Sequence, residues 1–380
     1  MLKIKIEGKE LKEIIEKVLC NMDKRASFPL LTKVILIDNV DKLTAYTSDL
    51  EGYLQVSTNN YISLDSAGSI GIDEKDLKVL LKMTGDVTIT ETEDSIQVQN
   101  GKKNISLMKY DISEFPKIPE DDFIETLKYK ESEFMETINN LVTFTSDNGN
   151  NKVMQCIHFN LSDSRIETLD SYRIGMKAIQ DSEKLINEGK ILVMNSIVSD
   201  LKKVLDKKSE SEVILSQGSK YIKVNSSNFE YIQRRVDGEY YKVSQMLIDN
   251  FKLSFKVNVE EMLSHVRYYT ENVRSKADKE PIVFKIEDET LISYARNARF
   301  EVSDSMEIKE HSGEDLLIGF NPFFWVDALK IADNDTLEIG GVNCKSPFFI
   351  KASKYSFVIL PINLNSQVNA MEKYLSKFVV

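Results

Sequence analysis

The chain has few of the residues on which disulfide frameworks, metal sites and membrane spans depend. It holds only 3 cysteines and 3 histidines among 380 residues. Cys20, Cys156 and Cys344 are far apart, odd in number and without metal-type spacing, so we expect small buried thiols in a reduced cytoplasmic protein. No apolar run reaches the length of a membrane span, and the N-terminus has the pattern of a strand, not of a signal peptide.

Recognisable catalytic motifs are also missing. His158, His265 and His311 have no Ser, Cys or acidic partner at a known spacing, and the sequence contains no His-Glu-x-x-His, glycine-rich phosphate loop or nucleophile elbow. His158 lies in an apolar strand pattern, which favours a hydrogen-bonded structural histidine. Paired carboxylates such as Asp121 and Asp122 fall in linker sequence, where solvation explains them. The sequence therefore predicts no catalytic residues, no metal and no cofactor.

The charge balance is acidic, with 60 Asp and Glu against 49 Lys and Arg and a formal net charge of −11. Such a balance argues against nucleic acid unless the cations gather on one surface, because phosphate binding depends on how many cations contact the backbone. Lysines do recur on predicted helices, at Lys78, Lys82, Lys202, Lys203 and Lys330. The alternative is that they populate the solvated faces of ordinary amphipathic helices.

A helix followed by a strand recurs three times, at residues 72–90, 194–215 and 320–339. Each copy opens on a polar residue suited to capping a helix, and these residues, Asp73, Asn195 and Asn321, are 122 and 126 residues apart. In the third copy Pro322 stands at the first helical position. A period this long predicts three copies of a whole domain.

Each copy reads as a strand, an amphipathic helix, several alternating strands, a second helix and further strands, which predicts an α+β fold with two helices packed on antiparallel sheets. Polar or proline-containing junctions place the domains at 1–120, 121–247 and 248–365. Residues 366–380 belong to no copy.

Several segments, in this order, resemble the bacterial DNA polymerase III beta subunit, the sliding clamp. They are residues 25–31, 43–51, 106–116, 168–174, 236–240, 318–321, 327–330, 346–347 and 355–364. No single tetrapeptide is specific, but their order and spacing over three repeated units are. The chain is thus identified as a somewhat divergent member of this family, whose DNA-clamp fold assembles into a ring.

The resemblance implies a head-to-tail homodimer with helices inside the ring and sheets outside. It would act as a DNA polymerase processivity factor that encircles double-stranded DNA without sequence preference. The implied partners are the DNA polymerase III alpha subunit, the clamp-loader complex and other proteins with clamp-binding motifs. The alternative is a clamp-like scaffold, a paralogue or mobile-element copy, that binds partners but is not loaded on DNA; an unrelated intracellular enzyme is a third class.

Basic residues on the helix faces and nearby loops would line such a ring and contact DNA. The candidates are Lys12, Arg25, Lys78, Lys82, Lys202, Lys203, Arg267, Arg274, Lys276 and Lys330. The resemblance places a basic DNA contact beside the proline-containing loop at Arg25. Asn195 and Ser196 stand where the family has basic residues, so the DNA track would be weaker here.

Ring closure would pair the first unit of one chain with the third unit of another. We expect the contact to use an edge strand with flanking lysines on one side and aromatic and acidic residues on the other. The candidates are Lys102, Lys103, Ile105, Leu107, Tyr268, Tyr269, Glu301, Asp304 and Glu307. The alternative is an ordinary edge strand whose lysines discourage aggregation.

The family's partner-peptide cleft lies between the second and third units. The matching positions are Met154, Leu169, Ser171, Tyr172, Arg173, Ile174, Met246, Leu360, Pro361, Ile362, Asn363 and Leu364. Met and Leu side chains adapt to different ligands, and Arg173 can hydrogen-bond peptide carbonyls. Residues 360–364 are equally consistent with a last core strand. Tyr172, Tyr241 and Lys345 depart from the family's usual residues, so the preferred peptide would be unusual.

The tail contains Leu375, Ser376 and Phe378 in an order that resembles the family's own ligand pattern, Gln-Leu-Ser/Asp-Leu-Phe. One hypothesis is that the tail occupies the cleft of its own or a neighbouring ring and competes with partners. The alternative is a frayed amphipathic terminus with no ligand role.

Overall fold

The computed structural model describes residues 1–22, 27–147, 150–248, 250–272, 280–299, 301–364 and 367–376. The described elements fall into three consecutive stretches, each with a strand, a helix, four or five strands, a second helix and three strands. The first stretch contains β1 (Lys3–Glu7), α1 (Gly8–Val18), β2 (Lys33–Asp38), β3 (Leu43–Ser48), β4 (Gly52–Thr58), β5 (Tyr61–Ser63), β6 (Gly68–Asp73), α2 (Glu74–Leu80), β7 (Asp86–Glu91), β8 (Ser95–Asn100) and β9 (Lys103–Met108).

The second stretch contains β10 (Ile124–Lys130), α3 (Glu131–Leu141), β11 (Cys156–Asn160), β12 (Arg165–Leu169), β13 (Arg173–Ala178), β14 (Lys190–Met194), α4 (Asn195–Val204), β15 (Glu212–Gln217), β16 (Tyr221–Asn225) and β17 (Phe229–Arg234). The third contains β18 (Leu253–Asn258), α5 (Val259–Asn272), β19 (Ile282–Glu287), β20 (Thr290–Arg296), β21 (Glu301–Glu307), β22 (Lys309–Ser312), β23 (Leu316–Phe320), α6 (Pro322–Ile331), β24 (Thr336–Gly341), β25 (Phe348–Lys351) and β26 (Tyr355–Ile359). A further helix, α7 (Gln367–Leu375), follows. The predicted α+β class is confirmed, while the boundaries of the three domains stay predictions.

Two of the three predicted helix caps are present. The Asp73 carboxylate accepts a hydrogen bond from the Lys75 backbone N–H, and the Asn321 side chain accepts one from Phe323, with Pro322 at the first helical position. The prediction for Asn195 is wrong: α4 begins at Asn195 itself, and Met194 occupies the N-cap without a side-chain hydrogen bond. Strand β14 continues directly into α4, which moves the helix start one residue earlier than the polar residue suggested.

Contacts divide the chain into two compact units. The first comprises Met1–Asn139 and Gln180–Asp237. It holds a sheet of strand order β5-β1-β7-β8-β9 and a sheet of order β10-β15-β16-β17-β4-β3-β2-β6. Strands β17 and β4 pair in antiparallel register with Tyr231 opposite Leu54, so strands from the first and second stretches share one continuous sheet.

The second unit comprises Asn140–Ile179 and Gly238–Val380. One of its sheets has the order β21-β20-β19-β23, and another runs through β11-β12-β13-β26-β25-β24-β18-β22. The fully buried ring of Trp325 on α6 packs edge-on against Phe284 of β19 and Phe320 of β23. These aromatic contacts form the core between α6 and the four-stranded sheet.

The predicted linker near residue 120 is packed against the first unit. Phe115 lies in a core cluster, edge-on to Tyr46 with ring centroids 5.3 Å apart. The Asp121 carboxylate accepts hydrogen bonds from Ser219 Oγ and from the backbone N–H groups of Lys220 and Tyr221. Desolvation opposes ionisation, but these donors outweigh it and hold the pKa of Asp121 well below its ordinary value. Solvation alone therefore does not explain this carboxylate.

The cysteines differ in environment. Burial raises the pKa of the Cys156 thiol to about 12, and burial together with Asp200 raises that of Cys20 to about 12. Cys344 is exposed and Cys20 is half-buried, so the expectation that all three are buried holds only for Cys156. Cys344 lies between Asn343 and Lys345 in an exposed turn after β24.

Candidate partner cleft, charged helix faces and sheet edges

An apolar cavity of about 440 Å³ opens in the second unit. It is lined by Met154, Leu169, Ser171, Arg173, Ile174, Tyr241, Met246, Pro347, Val358 and Leu360. Seven of the twelve cleft residues predicted from the sequence are in this lining. Its size and its mainly apolar walls suit the side chains of a short peptide.

Two paired strands hold the cavity wall in place. Strands β13 and β26 are antiparallel neighbours, with Ile174 directly opposite Val358. The Leu360 backbone N–H donates to the Tyr172 carbonyl oxygen at 2.9 Å, which extends the pairing past the end of β26. Between β12 and β13 the chain turns through Ser171, whose φ of 77° is in the left-handed region. Asp170 accepts hydrogen bonds from the N–H groups of Tyr172 and Arg173 and so stabilises this turn.

Arg173 is fixed at the edge of the cavity by contacts within the unit. Its Nε donates to Asp170 at 2.8 Å and a terminal nitrogen donates to Asp327 at 2.6 Å. Its other terminal nitrogen donates to the Thr143 carbonyl oxygen at 2.8 Å. The guanidinium carbon lies 4.5 Å from the centre of the Phe324 ring. Because a guanidinium has five N–H donors, these bonds leave part of the group for a ligand, while two carboxylates offset its charge.

The remaining predicted cleft residues do not line this cavity. The Tyr172 side chain is 61% exposed and its ring stacks on Phe324 with centroids 6.3 Å apart. Ile362 donates its backbone N–H to the Gly319 carbonyl oxygen, and the Leu364 side chain packs in a separate cluster with Val283. Leu364 therefore packs away from this cavity, because the chain leaves the cavity after Leu360 and crosses to β23, and its role in the cleft stays a prediction. Pro361, Asn363 and Lys345 are also absent from the cavity lining.

Three lining residues were not among the twelve positions matched to the cleft, although Tyr241 was noted as a departure there. Val358 is two positions before Leu360, so strand alternation was a usable signal for it. Tyr241 and Pro347 lie outside helices and strands, and only the tertiary fold brings them here. The Tyr241 hydroxyl accepts a hydrogen bond from Asn151 Nδ2 at 2.9 Å, and its ring is edge-on to Tyr240. These two contacts orient the Tyr241 side chain at the cavity.

His158 has the structural role expected from the sequence. It is buried, and its Nδ1 lies 3.0 Å from a Glu167 carboxylate oxygen. Arg165 Nε donates to the other oxygen of the same carboxylate at 3.0 Å. The Tyr240 ring covers the imidazole with centroids 4.4 Å apart. Among the residues that the structure describes, no group of three or more His, Cys, Asp or Glu side chains could hold a metal ion.

The seven predicted DNA-lining residues that the structure describes lie on or directly after helices, and most are exposed. Lys12 (α1), Lys78 (α2), Lys203 (α4), Arg267 (α5) and Lys330 (α6) are exposed, as is Lys82 just after α2, whereas Lys202 is half-buried. Arg25, Arg274 and Lys276 lie outside the described residues. Lys9 on α1 and Lys75 on α2 are also exposed and were not among the predictions.

Charge is unevenly divided among these helices. Lysines dominate the exposed charges of α2, α4 and α6, the second helix of each stretch. On α1, Lys12 forms an ion pair with Glu16 at 3.7 Å. The exposed charges of α3 are Glu133 and Glu136, and those of α5 include Glu260 and Glu261 beside Arg267. A DNA contact through helices would therefore rely on the second helix of each stretch.

The two strands predicted to join subunits lie at sheet edges. Within the described residues, β9 pairs only with β8 and β21 only with β20. Ile105 on β9 is half-buried and Leu107 buried, while Lys102, Lys103, Asp304 and Glu307 are exposed and Glu301 is half-buried. Unpaired edges with opposite charge can accept a strand from another chain.

Tyr268 and Tyr269 do not share one role. Tyr268 is 52% exposed, but Tyr269 is 1% exposed and its hydroxyl lies 2.8 Å from Ser293 Oγ. The prediction that Tyr269 supplies surface area at a subunit contact is wrong. Consecutive helical positions point about 100° apart, so these two rings cannot face the same side. Asp304, a predicted contact residue, lies 3.4 Å from His265 Nε2.

Comparison with known proteins places the chain among clamps. No family model matches it. The beta sliding clamp of Rickettsia bellii is 23% identical over 383 residues, covering 96% of this chain and 100% of that protein. The beta sliding clamp of Bacillus subtilis is 20% identical over 382 residues, covering 95% and 99%.

Solved structures agree in fold. The DNA polymerase sliding clamp of Bacillus subtilis matches with a TM-score of 0.88 at 18% identity, covering 96% of this chain and all of that chain. The DNA polymerase III beta subunit of Thermotoga maritima matches with a TM-score of 0.84 at 20% identity over the same shares. In sequence and in fold the chain is similar to bacterial beta sliding clamps, at low identity. The resemblance and the DNA-clamp fold predicted from the sequence are confirmed. The roles assigned to single residues remain proposals. In the part of the chain that the structure describes, no helix has the length and apolar character to cross a membrane.

Proposed function

We propose that this chain is a DNA polymerase processivity clamp with no catalytic activity of its own. Two copies close head to tail into a cytoplasmic ring that encircles double-stranded DNA without sequence preference. The cavity of the second unit tethers the replicative polymerase alpha subunit, the clamp loader and other proteins with clamp-binding motifs. The observation that carries this proposal is the match to sliding clamps over essentially their whole length.

Ring closure is supported by the chemistry of the two sheet edges. Lys102 and Lys103 flank one edge, and Asp304 and Glu307 lie along the other. A β9–β21 pair between two copies would satisfy both sets of edge N–H and C=O groups and bring opposite charges together. Ile105 and Tyr268 would add apolar contact. Because the two edges differ, the contact is heterologous and can close a ring.

DNA encirclement is supported by the lysines of α2 and α4. Lys78, Lys82 and Lys203 are exposed to solvent. In the proposed ring these lysines contact the phosphates of DNA and not its bases. Such contacts carry no sequence information, which permits sliding. The net charge of −11 is compatible with this role because topology, not affinity, retains a closed ring.

The test is loading onto nicked circular DNA by the clamp loader of the same cell. We expect Lys78→Glu combined with Lys82→Glu to reduce loaded protein several-fold while the mass stays at twice the 43.5 kDa of one chain. Lys42→Glu, an exposed lysine between β2 and β3 that belongs to none of the predicted sites, is the control and should load normally. Each lost phosphate contact should also make the fall of log K for DNA binding with log salt concentration shallower, by about 0.9 in the slope.

Unchanged loading by the double variant would remove these lysines from the DNA track. If the unaltered chain dimerises and binds clamp-motif peptides but is never retained on DNA, the processivity role is refuted. That outcome would favour the clamp-like scaffold instead.

A further inference from the structure

Helix α7 lies outside the three repeated stretches, yet it is packed into the second unit. Met371 is 1% exposed and contacts Val283 of β19 and Tyr294 of β20, both fully buried. Ala370, Tyr374 and Leu375 complete the apolar face of the helix. The expectation of a frayed terminus is therefore wrong for residues 367–375. Phe378 of the proposed ligand pattern lies outside the described residues.

Helix α7 covers the face of the four-stranded sheet opposite to α5 and α6. Val283 and Tyr294 are direct cross-strand partners, and so are their neighbours Phe284 and Ser293. Phe284 packs on Trp325 of α6, and Ser293 bonds Tyr269 of α5. Since successive strand residues point to opposite faces, Val283 and Tyr294 face α7. The sheet is thus buried on both sides.

One contact reaches from α7 to the edge strand. The Tyr374 hydroxyl donates to the backbone carbonyl oxygen of Glu301, the first residue of β21, at 3.2 Å. The Tyr294 hydroxyl donates to the carboxylate of the same glutamate at 2.9 Å. The two tyrosine rings pack together with centroids 5.6 Å apart. The start of β21 is consequently fixed by one tyrosine from its own sheet and one from α7.

We propose that α7 braces the subunit-binding edge: through Tyr374 it holds the start of β21 in position to pair with β9 of a second copy of this chain. The pairing part of this inference rests on the proposed ring. An edge strand is hydrogen-bonded on one side only and loses conformational freedom when a partner strand binds. A contact that orders the strand beforehand lowers this cost and strengthens association.

The tail therefore strengthens the ring from the sheet side instead of competing for the partner cleft. Its apolar residues are already engaged by the sheet, and none of them lines the partner cavity. The partner implied for this surface is a second copy of the same chain.

The experiment compares full-length protein with a chain that ends at Leu364 and with Tyr374→Phe. Ser376→Ala is the matched control, because its hydroxyl donates locally to the Lys373 carbonyl oxygen of α7. Hydrogen exchange of β21 amides reports strand order, and mass photometry over a dilution series gives the dimer dissociation constant. We expect exchange in β21 to rise in both test variants. Dimer affinity should fall about threefold to tenfold for Tyr374→Phe, as for the loss of one hydrogen bond, and further for the truncated chain.

Unchanged β21 exchange and unchanged dimer affinity in the truncated chain would overturn the inference. If truncation also raises exchange in the first unit, for example in β3, the truncated chain has unfolded more widely. The exchange of β21 and the dimer affinity of Tyr374→Phe then decide whether the brace exists. A full-length chain that is monomeric at micromolar concentration would refute the proposed ring and the pairing role. In that case the exchange rates of β21 still support or overturn the brace.

Discussion

Replacing Asp200 with asparagine is expected to stabilise the protein at neutral pH and to remove part of its pH dependence. Asp200 lies on α4 in the first unit, 3.3 Å from the Tyr231 hydroxyl. That hydroxyl has one proton and already lies 2.9 Å from Asn21 Oδ1. The Asn21 amide nitrogen donates to the carbonyl oxygens of Thr47 and Gly52, which orients its oxygen toward Tyr231. Because the Tyr231 proton is directed at Asn21, a hydrogen bond between Asp200 and Tyr231 needs a proton on the Asp200 carboxyl group.

The pKa of Asp200 is accordingly raised from 3.8 to about 6, mainly by burial and further by Asp49, against the opposing effects of Tyr231 and Lys203. The folded pKa lies above the unfolded value, so the folded state binds more protons between the two. Stability therefore falls as pH rises from about 4 to about 6 and stays lower above that range. A shift of about 2 units corresponds to about 3 kcal/mol. Solvent screening of this half-buried group reduces the expected effect to about 1–2 kcal/mol.

The assay is urea unfolding of wild type and Asp200→Asn at pH 5.0 and pH 7.5, with exposed Asp65→Asn as the matched control. The asparagine side chain can donate to Tyr231 without carrying charge. The variant should gain about 1–2 kcal/mol at pH 7.5 and about half as much at pH 5.0, which lies midway between the unfolded and folded pKa values, whereas the control should be near zero at both. A variant that is less stable than wild type at pH 7.5, or that differs equally at both pH values, would refute the reasoning.

Three further outcomes are expected. Thiol reagents should label exposed Cys344 rapidly. Cys20 and Cys156 should react only on unfolding, because burial raises the pKa of each of these two thiols to about 12. Rapid labelling of two or three thiols in the native protein would contradict this. Leu360→Ala should weaken binding of a Gln-Leu-Ser-Leu-Phe peptide about tenfold in a fluorescence anisotropy titration. Leu185→Ala changes a similarly exposed leucine of the first unit and should leave the affinity unchanged. Equal effects of the two changes would reject the cavity as the peptide site. Ile105→Asp with Leu107→Asp should give monomers at micromolar concentration by native mass spectrometry, and a persistent dimer would reject the β9 edge.

Features set by local sequence were the ones best predicted. The caps at Asp73 and Asn321 depend on residues within one helical turn, so the sequence alone identified them. Two local signals were missed. Met262, Val266 and Tyr269 have helical spacing on the inner face of α5, which favours burial of Tyr269 over a surface contact. Val368, Met371 and Leu375 have helical spacing in α7, which favours a packed helix over a frayed end.

Features that join distant segments could not be predicted from pattern alone. Tyr241 and Pro347 reach the cavity through irregular loops, where neither strand nor helix periodicity says which way a side chain points. The role of Asp121 depends on N–H groups about 100 residues later in the sequence. The Tyr374 contact with Glu301 joins a helix outside the repeat to an edge strand, and no repeat argument could place it.

The most direct test of the account is retention of labelled protein on circular DNA before and after the circle is cut once. Loaded protein should remain on the closed circle through a high-salt wash and leave within minutes of linearisation, because a closed ring can only slide off an end. Equal retention on circular and linear DNA, or loss from both at high salt, would show that binding is by affinity alone and would contradict the ring.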